Sequence, residues 1–320
     1  MNVRLGVSVL LFGLVVGGAA IVELTPKRFE TAKEHYDYLK KEAGGGTVHT
    51  MATLPSWDGL WSPTDNTATS IFFNGTLDAP AWRPGAVVKE GVLTPAYENH
   101  FKERREEIDA HGEQRYDRTT ACEYPGMPRW LWQPYVKEFA HTPKQTWMMN
   151  DDMNEIRRIY IGKDHVNIDG MHSTTGDSIG FWAGDKLVIW TKWVNPADYA
   201  RGMPLTSNLF EAVETWQEIA GENGQRLLRT EITFYDPIAL REPQSAVYFH
   251  ERSPELKEAG VRIRNWECES NNNSYKDEDG NTQFYLPGDP EYRSPRESTE
   301  FPEIPGQSLN PIFDAGNGQP

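Results

Sequence analysis

From about Gln145 the chain breaks into short apolar runs separated by turn formers. The runs Ile156–Ile161, Ser178–Ala183, Lys186–Val194, Glu211–Ile219 and Arg226–Tyr235 are rich in β-branched and aromatic residues, which is the composition of strands. Thr146–Met149, His165–Ile168, Ala246–His250 and Val261–Cys268 read the same way. The connections carry hairpin chemistry: Ala183-Gly184-Asp185, Gly162-Lys163-Asp164, and Gly221 to Gly224 with its Asn-Gly step. No helix-length segment lies between consecutive runs. The pattern therefore predicts a mainly β fold, an antiparallel meander closing into a barrel or a sandwich, rather than alternating βαβ units.

Two short helices are expected ahead of this sheet. Thr25-Pro26 reads as a cap followed by proline in the first turn; Phe29, Ala32, Tyr36 and Leu39 then share a face, and Gly44-Gly45-Gly46 stops the helix. Thr94-Pro95 opens the second by the same logic. Tyr97, Phe101, Arg104, Arg105 and Ile108 fall on its inner face, and His111-Gly112 ends it. The segment after Cys122, with Pro125, Gly126 and Pro128, forbids a regular element.

The first residues divide the chain further. Arg4 precedes an uncharged stretch from Leu5 to Val22, and Gly18-Ala19-Ala20 offers small residues to a signal peptidase. The expectation is a signal peptide over 1–20 and a periplasmic or extracellular protein. The alternative is an uncleaved membrane anchor, since the stretch just reaches the length of a span. The remaining divisions are a helix and linker at 21–56, a β-rich domain at 57–270, and an extended or disordered tail at 271–320. That tail is rich in Asn, Asp, Pro, Gly and Ser.

Charge and cysteine count narrow the partners. There are 47 Asp and Glu against 32 Lys and Arg, which argues against nucleic acid and anionic membrane surfaces. Cys122 and Cys268 are the two cysteines. An even count in an oxidising compartment predicts a disulfide between them, and neither has a neighbour at metal-ligand spacing.

Three groups of residues could carry chemistry. Gly176-Asp177-Ser178-Ile179-Gly180 matches G-x-S-x-G, but strand, hairpin and strand follow it where a nucleophile elbow needs a helix. His165, Asp169, His172 and Asp177 are the densest set of titratable side chains. Asp169, His172 and Asp177 are the candidate acid and base groups of a hydrolase or lyase, with or without a metal. The spacing has no tight metal motif, and no metal or other cofactor is expected. Eleven tryptophans are a heavy load for 320 residues. Trp130, Trp132, Trp182, Trp190 and Trp193 are the candidates for stacking on a ligand. Trp190 and Trp193 have opposite strand parity, which sends them to opposite faces if the strand is regular.

Taken in order, Cys122, Gly126 to Arg129, Glu155 to Tyr160, Gly176 to Val188, and Thr233 with Asp236-Pro237 form a set of motifs. With Trp57-Asp58-Gly59-Leu60-Trp61 and Glu267-Cys268-Glu269, the set resembles a family of uncharacterised secreted bacterial proteins over most of Trp57 to Glu269. The resemblance implies an exported β-rich domain and carries no activity. Asp169-Gly170-Met171-His172-Ser173 stands where that family's pattern has Asp-Gly-Arg-x-His-Pro.

The leading functional expectation is an exported protein that binds a small apolar or aromatic molecule, or a glycan. An enzyme built on His165, Asp169, His172 and Asp177 is the second reading. The third is a structural subunit of an envelope complex with an envelope protein as partner.

Overall fold

The structure is a computed structural model that describes residues 28–64, 88, 90–111, 118–133, 135–167, 170–199, 204–221, 224–266, 268, 274–280, 282–285 and 289–291. The expected signal segment and the part of the expected tail beyond 291 lie outside the described residues.

The chain forms a closed barrel whose strands follow one another in sequence order. They are β1 (Trp61–Pro63), β2 (Lys137–Thr142), β3 (Gln145–Asn150), β4 (Ile156–Ile161) and β5 (Asp177–Ala183). After them come β6 (Lys186–Lys192), β7 (Glu211–Ala220), β8 (Arg226–Tyr235) and β9 (Gln244–Arg252). β1 closes the cylinder by pairing with both β2 and β9, which removes the exposed sheet edges. All neighbours are antiparallel except β4 and β5, whose pairing is parallel with Ile159 opposite Ser178.

That parallel pair corrects the expected meander at one place. Gly162-Lys163-Asp164 does not make a hairpin, and no strand forms at His165–Asn167. β4 and β5 are instead joined by a connection between Ile161 and Asp177, of the length a parallel pair demands. Val166 is exposed there, and His165 turns its ring to Asp177 and the tryptophans instead of joining a ladder. Val261–Trp266 is likewise not a strand. A separate two-stranded sheet, β10 (Ser274–Lys276) with β11 (Thr282–Phe284), lies beyond it. β2 lies outside the runs that read as strands, because its inward positions are Lys137, Phe139 and His141, so interior and surface look alike in polarity.

Two helices pack on the barrel. The first, α1 (Ala32–Glu42), starts at Ala32 rather than after Pro26, because Thr31 caps it by accepting from the Glu34 N–H at 3.2 Å. Its Ala32 and Tyr36 are buried against the outer faces of β5, β6 and β7, with the Tyr36 ring 5.3 Å from Phe181. The second, α2 (Pro95–His111), buries Tyr97, Arg104 and Ile108, and Arg104 reaches Asp198 at 2.6 Å. Among the described residues no helix is long and apolar enough to cross a membrane.

The barrel interior is a packed core. One end is closed by Trp57, Phe139, His141, Trp182 and Trp216, with neighbouring ring centroids 4.8–6.5 Å apart. The middle holds Arg157 and Glu214, both fully buried. The Cys122–Cys268 disulfide is present and joins positions 146 residues apart.

Candidate functional site

A groove of about 710 Å³ lies outside the barrel, where the start of α1 meets the ends of β6, β7 and β8. Its base is set by Asp236. That buried carboxylate accepts from the Ser207 N–H (2.7 Å), the Ser207 hydroxyl (2.6 Å), the Ala239 N–H (3.1 Å) and the Tyr199 hydroxyl (3.2 Å). Burial pushes the Asp236 pKa up and these donors pull it back. The result pins residues 236–243 to the loop before β7, so the groove is built on a rigid corner.

Two tryptophans line one wall. Trp190 sits on the outer face of β6, since Leu187, Ile189 and Thr191 point inward. The next residue of that outward set would be Lys192. Trp193, however, adopts φ of 55°, in the left-handed region, and this breaks the two-residue alternation. Both indoles therefore line the same groove. This corrects the expectation that opposite parity would separate them. A bulky residue in that conformation is an outlier with a cost of about 1–3 kcal/mol, so the surroundings must hold it. The Trp193 carbonyl accepts from the Ser173 N–H at 3.1 Å.

The charges around the indoles are paired among themselves. Lys192 Nζ lies 4.6 Å from the Trp193 ring centre, 5.5 Å from that of Trp190, and 3.7 Å from Glu211 Oε1. Glu211 Oε2 accepts from Trp190 Nε1 at 2.8 Å. At the far rim Glu242 pairs with Arg28 at 3.0 Å, and Arg241 Nε donates to the Leu93 carbonyl at 2.6 Å. The groove thus presents indole and aliphatic surface framed by charged side chains, with Lys192, Glu211, Glu242 and Arg241 each engaged by a neighbour and Glu30 also on its lining.

Behind the indoles stand two of the residues singled out from sequence. His165 meets the Trp190 ring edge-on at 4.5 Å and the Trp193 ring at 5.6 Å. Its Nδ1 is 2.7 Å from Asp177 Oδ2. His172 is held elsewhere, with Nδ1 3.1 Å from the Val194 carbonyl, and Asp169 lies outside the described residues. Among the described residues no three His, Cys, Asp or Glu side chains converge as metal ligands.

The other candidates have different places. Trp130 and Trp182 are 0 % and 1 % exposed and belong to the core. Trp132 ends the 3-10 turn at Arg129–Trp132 and its side chain lies outside the described residues. Ser178 is fully buried on β5, bonded to Arg157 Nε and the Thr191 hydroxyl. The glycines flanking it answer to packing: a Cβ at Gly176 would come 2.5 Å from the Lys192 carbonyl, and one at Gly180 2.6 Å from that of Val188. Glu211, Tyr235 and the first residues of α1 were not singled out from sequence. Nothing local marks them, because distant segments create the groove.

No protein-family model, no curated protein and no solved structure matches this chain.

Proposed function

We propose that this is an exported carbohydrate-binding protein whose outer groove takes a short, neutral oligosaccharide. The observation that carries this reading is the left-handed Trp193, which brings a second indole beside Trp190. Indole faces stack on the apolar C–H faces of sugar rings. Glu211 and Lys192 lie beside them to exchange hydrogen bonds with hydroxyls. Lys192 is already paired with Glu211 beside the indoles, and the groove lining carries further carboxylates, which disfavours an anionic guest and suits a neutral one. The volume is within the usual range for small-molecule sites. The disulfide supports an oxidising compartment, and the N-terminal pattern supports export. Cleavage after Ala20 would give a mature chain beginning at Ile21, readable by intact mass.

The test is calorimetric titration with short glucose-, galactose-, mannose- and N-acetylglucosamine-based oligosaccharides, followed in parallel by tryptophan emission. At least one should bind, and Trp193→Ala should weaken it tenfold or more while leaving thermal stability nearly unchanged. Absence of binding to all of them, or binding indifferent to both Trp190→Ala and Trp193→Ala, would overturn the reading. So would capture of anilinonaphthalene sulfonate in the groove with no sugar binding.

A further inference from the structure

Several buried polar side chains on the inner face of the barrel wall, none of them lining the groove, lack their usual partners. Lys137 on β2 has no solvent exposure. Its amine donates to the Gln133 carbonyl at 3.3 Å and lies 5.2 Å from the centre of the Trp130 ring. Among the described residues no carboxylate reaches ion-pair distance of it. An ammonium has three hydrogens to satisfy, so this one is under-partnered.

Its neighbours share that condition. Asn150 stands directly opposite Lys137 across the β2–β3 ladder, fully buried, and its Nδ2 has no hydrogen-bond partner. His250 on β9 is 1 % exposed and lies within the field of Lys137. Neither of its ring nitrogens makes a hydrogen bond of full geometry, although the Leu131 backbone supplies a favourable dipole. The Thr230 hydroxyl, on β8 and fully buried, is also without a partner. Lys137 and Asn150, directly opposite each other on adjacent strands, thus leave buried donors unmatched in the same place, which calls for a guest; His250 and Thr230 lie on β9 and β8, on the other side of β1. The ammonium and Asn150 Nδ2 are both donors, and the charge between them is positive.

We infer that the Lys137–Asn150–His250 wall of the barrel binds a small monovalent anion, either a halide or a small free carboxylate. Such a guest accepts from the ammonium and from Asn150 Nδ2, with His250 beside it on the far side of β1. The other titratable groups facing Lys137 are His250 and Asp152, the latter on the 3-10 turn after β3 with Glu155 beside it. Asp152 alone favours the charged amine, while burial holds the Lys137 pKa down to about 7. Anion binding therefore couples to proton uptake at Lys137. Affinity should fall about tenfold for each pH unit above 7.

The experiment is anomalous diffraction from crystals of the full chain equilibrated in sodium bromide at pH 6 and pH 8.5. A parallel arm follows thermal melting against bromide or formate at constant ionic strength. The expected result is a bromide peak between Lys137 Nζ and Asn150 Nδ2 at pH 6, weaker at pH 8.5 and absent from Lys137→Met. Stabilisation by bromide alone identifies a halide site; stabilisation by formate identifies a carboxylate site. Asn150→Leu replaces Lys137→Met if the latter does not fold. A water at that position, no anomalous peak, or equal occupancy in wild type and variant overturns the inference.

Discussion

Arg157 and Glu214 face each other across the centre of the barrel through two parallel hydrogen bonds of 2.8 and 2.6 Å, with neither side chain exposed. The pair is completed on both sides. Arg157 also donates to the Ser178 and Thr191 hydroxyls, and Glu214 accepts from Trp216 Nε1 at 2.9 Å. Such a pair adds little net stability over an apolar core, but removing one partner strands a charge. Glu214→Gln or Arg157→Met should destabilise the protein by about 3–5 kcal/mol. The double variant Arg157→Met with Glu214→Leu should recover most of that loss. Urea unfolding of the three variants checks this, and an additive double variant would refute it.

Glu155 gives the stability a pH dependence. Burial raises its pKa from 4.5 to about 7, against the hydrogen bond from the Gly126 N–H. The folded state therefore holds a proton on it that the unfolded chain releases. The stability contributed this way is fully present below pH 4.5 and lost as pH rises through 7, by at most about 3 kcal/mol. His35 and His141, held down to about 4 by burial, act in the opposite direction between pH 4 and 6.5. The comparison of wild type with Glu155→Gln isolates the carboxyl. The difference in unfolding free energy between them should change steadily from pH 4.5 to 7, and a constant difference would contradict the assignment.

Lys137 makes a separate contribution at higher pH. With its pKa lowered to about 7, the folded state binds fewer protons than the unfolded chain between pH 7 and 10.5. Stability should therefore rise with pH across that window. Lys137→Met should flatten the rise and be more stable than wild type below pH 7. Thermal melts at a series of pH values decide it.

Trp193 and Trp216 should respond differently to truncation. Trp216 is fully buried and stacks on His250 with centroids 5.7 Å apart. Trp216→Ala should cost about 3–5 kcal/mol. Trp193→Gly removes a partly buried surface ring and relieves a left-handed backbone, so its cost should stay within about 1 kcal/mol. Denaturant midpoints measure both.

Reduction of the Cys122–Cys268 bridge should lower stability by about 2–5 kcal/mol, because the closed loop is long. The double variant Cys122→Ser with Cys268→Ser should melt lower and become insensitive to dithiothreitol. A melting temperature unchanged by reduction would show that the cross-link carries no stability.

Strand composition and turn chemistry determined much of this protein locally. β-branched runs such as Ile156–Ile161 and Arg226–Tyr235, and the Gly184 turn, announced strands and a barrel or sandwich, because those signals act between neighbours in the chain. The apolar faces of both helices were legible for the same reason, and the disulfide followed from there being only two cysteines. Only the tertiary structure decided which tryptophans are core and which line a surface. Trp182 and Trp190 lie on adjacent strands with similar surroundings in sequence, yet one plugs the barrel and the other faces the groove. The parallel β4–β5 pair, the left-handed Trp193 and the meeting of α1 with Asp236 were also beyond local reading. Each depends on segments far apart in the chain that come together only when the cylinder closes, and closure is a property of the whole sheet.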